Sequence, residues 1–503
     1  MHLDRAACYR ALLTRDARFD GQFFTAVRTT GIYCRPICPA RPPKLENIVF
    51  LPSAAAAQEA GFRPCLRCRP ETSPDIAAWH GTASTVSRAV ALIAAGALNE
   101  DGINGLAARV GMGERQLRRL FQKHLGASPG AVAQARRLLF AKQLITDTQL
   151  SMADVALAAG FGSVRRFNDT FRRLWGRAPR TLRRCDATME ATRSAVTLTL
   201  PYKPPYDWPA MVGFLAARAI PGVEQVRPDL YARTISLGGV HGTIAVRPTD
   251  QRGKAHALVA TIRFPAVTAL PTIVERIRRV FDLGADPTII AGHLSADPLL
   301  ARLVAMRPGL RVPGAWDGFE LAIRGILGQQ ITVGAATRLA GKLVAAFGIP
   351  VPPPEGSVAD LCYVFPPPER LVGTDLAAVL GMPRARAAAI LSVAAAVMAN
   401  PRIFDPGQGL DHAVARLRTL PGIGEWTAQY VVMRALHEPD AFPAADIGLL
   451  RALATAEGRP DPSELLARAV AWRPWRAYAA LHLWTSGVVA PVSLMEKSVE
   501  VAA

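Results

Sequence analysis

Acidic side chains are in short supply in this chain: 40 Asp and Glu stand against 59 Lys and Arg, a net of +19 over 503 residues. So basic a chain is a poor partner for cations and basic surfaces; a polyanion is expected, nucleic acid first. Cysteine is scarce too. Seven in 503 residues cannot make a disulfide scaffold. Long apolar runs are missing. None reaches the roughly 18 residues of a membrane helix, and the Ala-rich stretch 385–399 is too short and its side chains too small. The N-terminus, MHLDRAACYR, lacks the apolar core of about 7–15 residues that marks a signal peptide. These absences predict a soluble, cytoplasmic, nucleoid-associated protein with no membrane partner. With 50% apolar and 20% charged residues, wholesale disorder is excluded as well.

The length allows about three to five domains. Composition divides the chain into four regions, 1–78, 80–186, 190–308 and 309–490. The first is Cys- and Pro-bearing and loop-rich. The second is helical, basic and internally repeated. The third opens on a Pro-rich extended segment, LTLPYKPPYDWP, and continues in alternating stretches at 231–246 and 257–264 that read as strands. The fourth is mostly helical, broken by a Pro-rich loop at 349–370. A frayed tail is expected after residue 489. The predicted class is multidomain α+β: a small α/β domain, an all-α domain, an α+β lobe with an antiparallel sheet, and a second all-α domain. Up to residue 190 there are 28 basic and 15 acidic side chains, so the front of the chain is the expected electrostatic grip.

Four of the seven cysteines fall in 35 residues. Cys34 and Cys38 form C-x3-C, and Cys65 and Cys68 form C-x2-C after 26 intervening residues. Two close thiol pairs match a tetrahedral Zn²⁺ site. Arg35, Arg41, Arg63, Arg67 and Arg69 surround them and suit phosphate contact. The segments RTTGIYCRPICPARPP and AGFRPCLRC resemble the N-terminal domain of the Ada family. The resemblance implies one zinc held by Cys34, Cys38, Cys65 and Cys68. It also implies that Cys34 accepts a methyl group, irreversibly, from a methylphosphotriester in DNA. Methylation would make the site less negative and so raise DNA affinity. Cys8, Cys185 and Cys362 have no visible role and are expected to be structural.

Two helical segments echo each other. Gly111 and Gly160 lie 49 residues apart; Phe121 and Phe171, Gly126 and Gly176, and Pro129 and Pro179 lie 50 apart. Each unit reads as helix, Gly-containing turn, helix. Leu117, Leu120 and Phe121 give the first unit an inner face, leaving Arg115, Gln116, Arg118 and Arg119 outside. Val164, Phe167 and Phe171 do the same in the second, leaving Arg165, Arg166, Asn168 and Asp169 outside. This punctuation resembles the double helix-turn-helix of the AraC family. The outward residues are then expected to read base edges in the major groove of promoter DNA, with RNA polymerase as a further partner.

Towards the C-terminus, LPGIG at 420–424 is a tight turn opening a helix, and Asp446 follows 22 residues after Gly424. An ordinary inter-helix turn and a helix-capping Asp would look the same. Together they resemble the helix-hairpin-helix base-excision glycosylases. FELAIRGILGQQITV at 319–333, WRPWRAYAALHLW at 472–484 and LPYKPPYDW at 200–208 resemble the AlkA-type 3-methyladenine glycosylases. The resemblance implies excision of alkylated purines, with Asp446 as the carboxylate that stabilises a sugar cation. Trp426, Tyr430 and Trp484 would line the pocket of a flipped-out base. Leu420, Gly422, Gly424 and Gln330 would touch DNA, and a monovalent cation would sit at the hairpin. Lyases of this superfamily carry a Lys where Trp426 stands, so a monofunctional enzyme is expected. Gln330 occupies the place of an apolar wedge, which weakens wedging or passes it to Ile331. No Pro-Cys-His-Arg motif of an O6-alkylguanine transferase is present.

The reading is thus a monomeric repair enzyme fused to a regulator, acting on double-stranded DNA, damaged and promoter alike. Its rivals are a regulator whose glycosylase half only binds DNA, and a glycosylase with a DNA-targeting front half.

Overall fold

The structure, a computed structural model, describes residues 4–73, 84–183, 195–249, 256–352, 360–405, 409–454 and 458–486. Cys185, the tail after residue 489 and the divisions at 78–80 and 186–190 lie outside the described residues.

The first region is more ordered than its loop-rich sequence suggests. Helix α1 (Arg5–Thr14) precedes a four-stranded sheet of β1 (Phe24–Val27), β2 (Ile32–Cys34), β3 (Ile48–Leu51) and β4 (Arg63–Pro64), with α2 (Ala54–Glu59) between β3 and β4. The strand order is β3-β1-β2-β4. Strands of two to four residues are too short to show a period-2 pattern. The one parallel pairing sets Tyr33 opposite Pro64. Cys34 and Cys65 therefore follow at the same end of adjacent strands.

Seven helices come next: α3 (Ser84–Ala94), α4 (Ala97–Glu100), α5 (Gly102–Arg109), α6 (Glu114–Leu125), α7 (Pro129–Asp147), α8 (Met152–Ala158) and α9 (Val164–Trp175). Helices α5–α6 and α8–α9 are the two repeated units. Gly126 and Gly176 end α6 and α9 at φ +65° and +67°, a conformation glycine takes without a Cβ penalty. Leu117, Phe121 and Leu125 are buried on α6, as are Phe167, Phe171 and Trp175 on α9. The spacing of four keeps each set on one face.

The two units do not share a core. The first packs with Ala55 and Ala56 of α2. The second packs on the sheet of the third region. That sheet is antiparallel, in the order β5 (Val196–Pro201), β9 (Ala257–Arg263), β8 (Val240–Pro248), β7 (Leu230–Leu237), β6 (Glu224–Arg227). Gly238 and Gly239, both at positive φ, join β7 to β8, the tight hairpin turn that matches strand twist. Helices α10 (Trp208–Ala216) and α11 (Leu270–Val280) belong to the same region.

The remaining helices are α12 (Pro287–Leu294), α13 (Pro298–Met306), α14 (Gly318–Leu327), α15 (Val333–Phe347), α16 (Leu376–Leu380), α17 (Arg384–Ala399), α18 (Leu410–Arg418), α19 (Glu425–Arg434), α20 (Ile447–Ala452), α21 (Pro462–Ala469) and α22 (Arg476–Ser486). They enclose one large apolar core. Ile290, Leu294, Leu300 and Val304 are in it, so packing assigns α12 and α13 to these helices although composition divides the chain at 308. Among the described residues, no helix is long and apolar enough to cross a membrane.

Candidate functional site

The four cysteine sulfurs converge, all within 4.8 Å of one another. Cys38, Cys65 and Cys68 are buried and Cys34 is half-exposed. Four sulfurs at this spacing fit one tetrahedral ion with Zn–S bonds of about 2.3 Å. Bound zinc would keep these sulfurs deprotonated and hence nucleophilic. Two of the surrounding arginines are already engaged. Arg35 pairs with Asp20 and donates to Thr72 Oγ1 at 2.7 Å and to the Cys68 carbonyl at 3.1 Å. Arg69 bridges Glu71 and Asp147 at 3.1 and 2.8 Å. Neither is free for phosphate, which corrects the sequence expectation; Arg41, Arg63 and Arg67 are exposed and remain.

The second site is a cavity of about 1590 Å³ between the five-stranded lobe and the C-terminal helices. Asp446, Trp426, Tyr430, Trp484 and Gln330 all line it. Asp446 is half-buried and caps α20. Its Oδ1 accepts from Gly448 N at 2.8 Å, Leu449 N at 3.1 Å and Trp484 Nε1 at 2.8 Å. Its Oδ2 accepts from Trp426 Nε1 at 2.8 Å. The capping and cavity-facing roles are thus combined in one carboxylate. Gly448 makes this possible: a Cβ there would lie 2.9 Å from Asp446 Oδ1 and 3.3 Å from Trp484.

Trp426 and Tyr430, one helical turn apart on α19, stack with centroids 5.3 Å apart and planes 8° from parallel. Arg434, a further turn on, donates to the Tyr430 hydroxyl at 2.5 Å and is anchored on the carbonyls of Pro313 and Gly314. Burial pushes the Tyr430 hydroxyl up, but Arg434 and Arg218 more than offset it and hold it below its ordinary range. The two guanidiniums lie 4.7 and 3.8 Å from the Phe214 ring centroid. Sequence reasoning missed all three residues. Arg434 had a signal, its spacing from Tyr430. Phe214 and Arg218 had none, because they arrive from α10 and the turn after it.

The hairpin α18–α19 turns at Gly422, where φ is +81° and a Cβ would lie 2.3 Å from that of Ala389 on α17. Only glycine fits there. Gly424 caps α19 with no side chain on its first N–H groups, which leaves them to an anion. Leu420 is half-buried beside them. Gln329 Nε2 donates to the Gly422 carbonyl at 2.9 Å and to Thr427 Oγ1 at 3.1 Å, tying the α14–α15 loop to the hairpin. Next to it Gln330 is exposed at φ +59°. That is a strained position for a residue with a side chain, and such strain clusters at functional loops. Ile331 is half-buried.

On the repeated units, Arg115, Gln116, Arg118, Arg119, Arg165 and Arg166 are exposed and Asn168 is half-buried. Arg118 pairs with Glu114 along the helix at 2.6 Å. Val164 does not face inward: as the first residue of α9 it is 40% exposed. Cys8 is a core residue whose thiol burial pushes up to about 11, whereas Cys362 is exposed.

Four families match, described as "Metal binding domain of Ada" over residues 7–71, "Helix-turn-helix domain" over 106–184, "AlkA N-terminal domain" over 197–317 and "HhH-GPD superfamily base excision DNA repair protein" over 323–477. A Mycobacterium tuberculosis protein, named a probable bifunctional transcriptional activator/DNA repair enzyme AlkA, is 44% identical over 97% of both chains. DNA-3-methyladenine glycosylase 2 of Escherichia coli is 35% identical over 57% of this chain and 96% of its own. Among solved structures, a 3-methyladenine DNA-glycosylase from Archaeoglobus fulgidus covers 57% of this chain and 97% of its own at TM-score 0.50 and 22% identity, a likeness of fold. With an Ada-type zinc site, a helix-turn-helix region and a helix-hairpin-helix repair fold on one polypeptide, the chain belongs to the family of bifunctional AlkA/Ada-type transcriptional activators and DNA repair enzymes.

Proposed function

We propose that this chain hydrolyses the N-glycosidic bond of alkylated bases, of the 3-methyladenine and 7-methylguanine type, and regulates the response to such damage. The division into 1–78, 80–186, 190–308 and 309–490 is part of this reading, with α12 and α13 of the third segment packed into the core of the fourth. One observation carries it: the Asp446 carboxylate receives both Trp426 Nε1–H and Trp484 Nε1–H at 2.8 Å in the wall of an aromatic cavity beside the hairpin. The hairpin residues Leu420, Gly422 and Gly424 hold the backbone of damaged DNA, and Gln330 or its neighbour Ile331 enters the gap left by the flipped nucleotide. A monovalent cation sits at the hairpin.

The base stacks among Trp426, Tyr430 and Trp484. The C1′–N bond breaks, and its electron pair leaves with the base. Asp446 stabilises the positive sugar, as a carboxylate does in glycoside hydrolysis. Water then adds at C1′ and loses its proton. Trp426 offers no amine for a Schiff base, so an abasic site is the product.

At the other site the Cys34 sulfur attacks the methyl carbon of a DNA methylphosphotriester. The S–C bond forms, the C–O bond breaks, and a phosphodiester anion leaves. Among the four sulfurs, Cys34 alone is not buried, which favours it as the acceptor. The thioether removes one negative charge from a surface that meets phosphates, so promoter DNA binds more tightly. The exposed arginines of α6 and α9 read that DNA, with RNA polymerase as the partner of the bound monomer. Mass spectrometry after exposure to methylated duplex should find one added methyl on Cys34. Cys34→Ser should lose it while releasing alkylated base at the wild-type rate. A methyl elsewhere, or none, refutes this assignment.

A further inference from the structure

The regulatory and repair halves are fastened together at the end of the hairpin remote from its turn. Arg88 on α3 pairs with Glu438 at 3.5 Å, and both side chains are nearly buried. Glu438 lies just beyond the end of α19, and the Arg88 guanidinium also lies over Gly409, at the start of α18. Arg109 on α5 pairs with Asp405 at 2.7 Å and with Asp101 at 3.3 Å, and Arg402 reaches Asp101 at 3.2 Å. The second repeated unit is clamped elsewhere: it shares its core with the five-stranded lobe, and Gln143 on α7 donates to the Thr199 carbonyl at 2.8 Å.

These fastenings, with a third in which Lys203 Nζ donates to the Arg18 carbonyl at 2.9 Å and Gln22 Nε2 donates to Asp286 at 3.4 Å, fix where the DNA-facing surfaces lie. Helix α18 runs from the clamped base to the glycine turn, and α19 returns. Nine and ten residues long, they span about 13–15 Å at about 1.5 Å per residue. Gly422 and Gly424 are at the turn and Gln330 is on the adjoining α14–α15 loop, all exposed. The clamp uses α3, α5 and Asp101 and leaves Arg115, Gln116, Arg118 and Arg119 of α6 exposed, as are Arg165 and Arg166 of α9. Neither DNA-facing surface is covered by the docking of the two halves. Both halves carry excess positive charge to offset a polyanion.

We propose that one chain holds two separate DNA segments at once, one on the zinc site and α6 and α9, the other at the hairpin tip and cavity. Excision then continues while a second segment is held. The inference rests on the reading in the previous section, and its test keeps the two apart. The probes are two short duplexes of different mass, one with a tetrahydrofuran abasic-site analogue and one with a single methylphosphotriester. By native mass spectrometry each duplex alone should bind the full chain; if either does not, the earlier reading fails. With both present, a complex of one chain and two duplexes is expected. Single-turnover release of 7-methylguanine from a third, methylated duplex should then change by no more than about twofold when the phosphotriester duplex saturates the chain, the tolerance of independent sites. Two intact binary complexes that exclude each other, with base release suppressed as the phosphotriester duplex is added, would overturn the inference.

Discussion

Replacing Trp426 by Phe separates two jobs that the side chain performs. The ring stacks on Tyr430 at 5.3 Å, and a phenyl ring in the same place keeps that contact. The indole Nε1–H holds Asp446 Oδ2 at 2.8 Å, and Phe has no such donor. A hydrogen bond to a charged group is worth about 1.5–3 kcal/mol. Trp426 is half-exposed, so the lower end applies: about 1.5 kcal/mol, or about tenfold in rate. The assay is single-turnover release of 7-methylguanine by wild type, Trp426→Phe, Asp446→Asn and the double variant. If Trp426 acts by orienting the carboxylate, the tenfold loss seen with Asp446 vanishes in the Asp446→Asn background. The same loss in both backgrounds would refute the reasoning and leave Trp426 as a wall of the base pocket only.

Two further outcomes follow from other parts of the molecule. Cys65→Ala or Cys68→Ala should unfold the first region, as should mild chelation of the wild type, because structural zinc binding is folding free energy; circular dichroism with metal analysis checks this, and a well-folded metal-free wild type would contradict it. His482 on α22 is pushed down to about 4, by burial first and then by Arg307. Its folded form binds fewer protons than the unfolded chain between pH 6.5 and about 4. Its contribution is therefore complete above pH 6.5 and declines as pH falls through that window, by on the order of 3 kcal/mol. The slope of Tm against pH there should flatten in His482→Gln.

What was legible in the sequence had short-range signals. The cysteine spacing, the doubled Gly and Pro punctuation and the LPGIG turn each reflect chemistry within a few residues. What was hidden depends on pairing across the chain. Cys34 meets Cys65 because β2 and β4 run parallel, and nothing local records that register. Arg35 and Arg69 read as phosphate contacts until Asp20 and Asp147, distant in sequence, claim them. The two repeated units look like one domain by composition, yet apolar faces on α2 and on the five-stranded sheet draw them into different cores. Asp446 was posed as either a cap or a cavity carboxylate, and its two oxygens let it be both.

That double duty makes Asp446→Asn the most direct test of the account. Asn caps a helix about as well as Asp. Its Oδ1 can keep the bonds from Gly448, Leu449 and Trp484, while its amide would face the Trp426 N–H, donor against donor. The expected stability loss is small, about 1 kcal/mol. The lost negative charge should cost about 10²–10³-fold in base release. DNA binding should survive, because the hairpin and the basic surfaces are untouched. Melting temperature and single-turnover release of 7-methylguanine are to be measured on the same preparation. The account predicts a nearly unchanged melting temperature with release reduced at least about a hundredfold. Release near the wild-type rate from folded Asp446→Asn protein would reduce Asp446 to a helix cap and contradict the account.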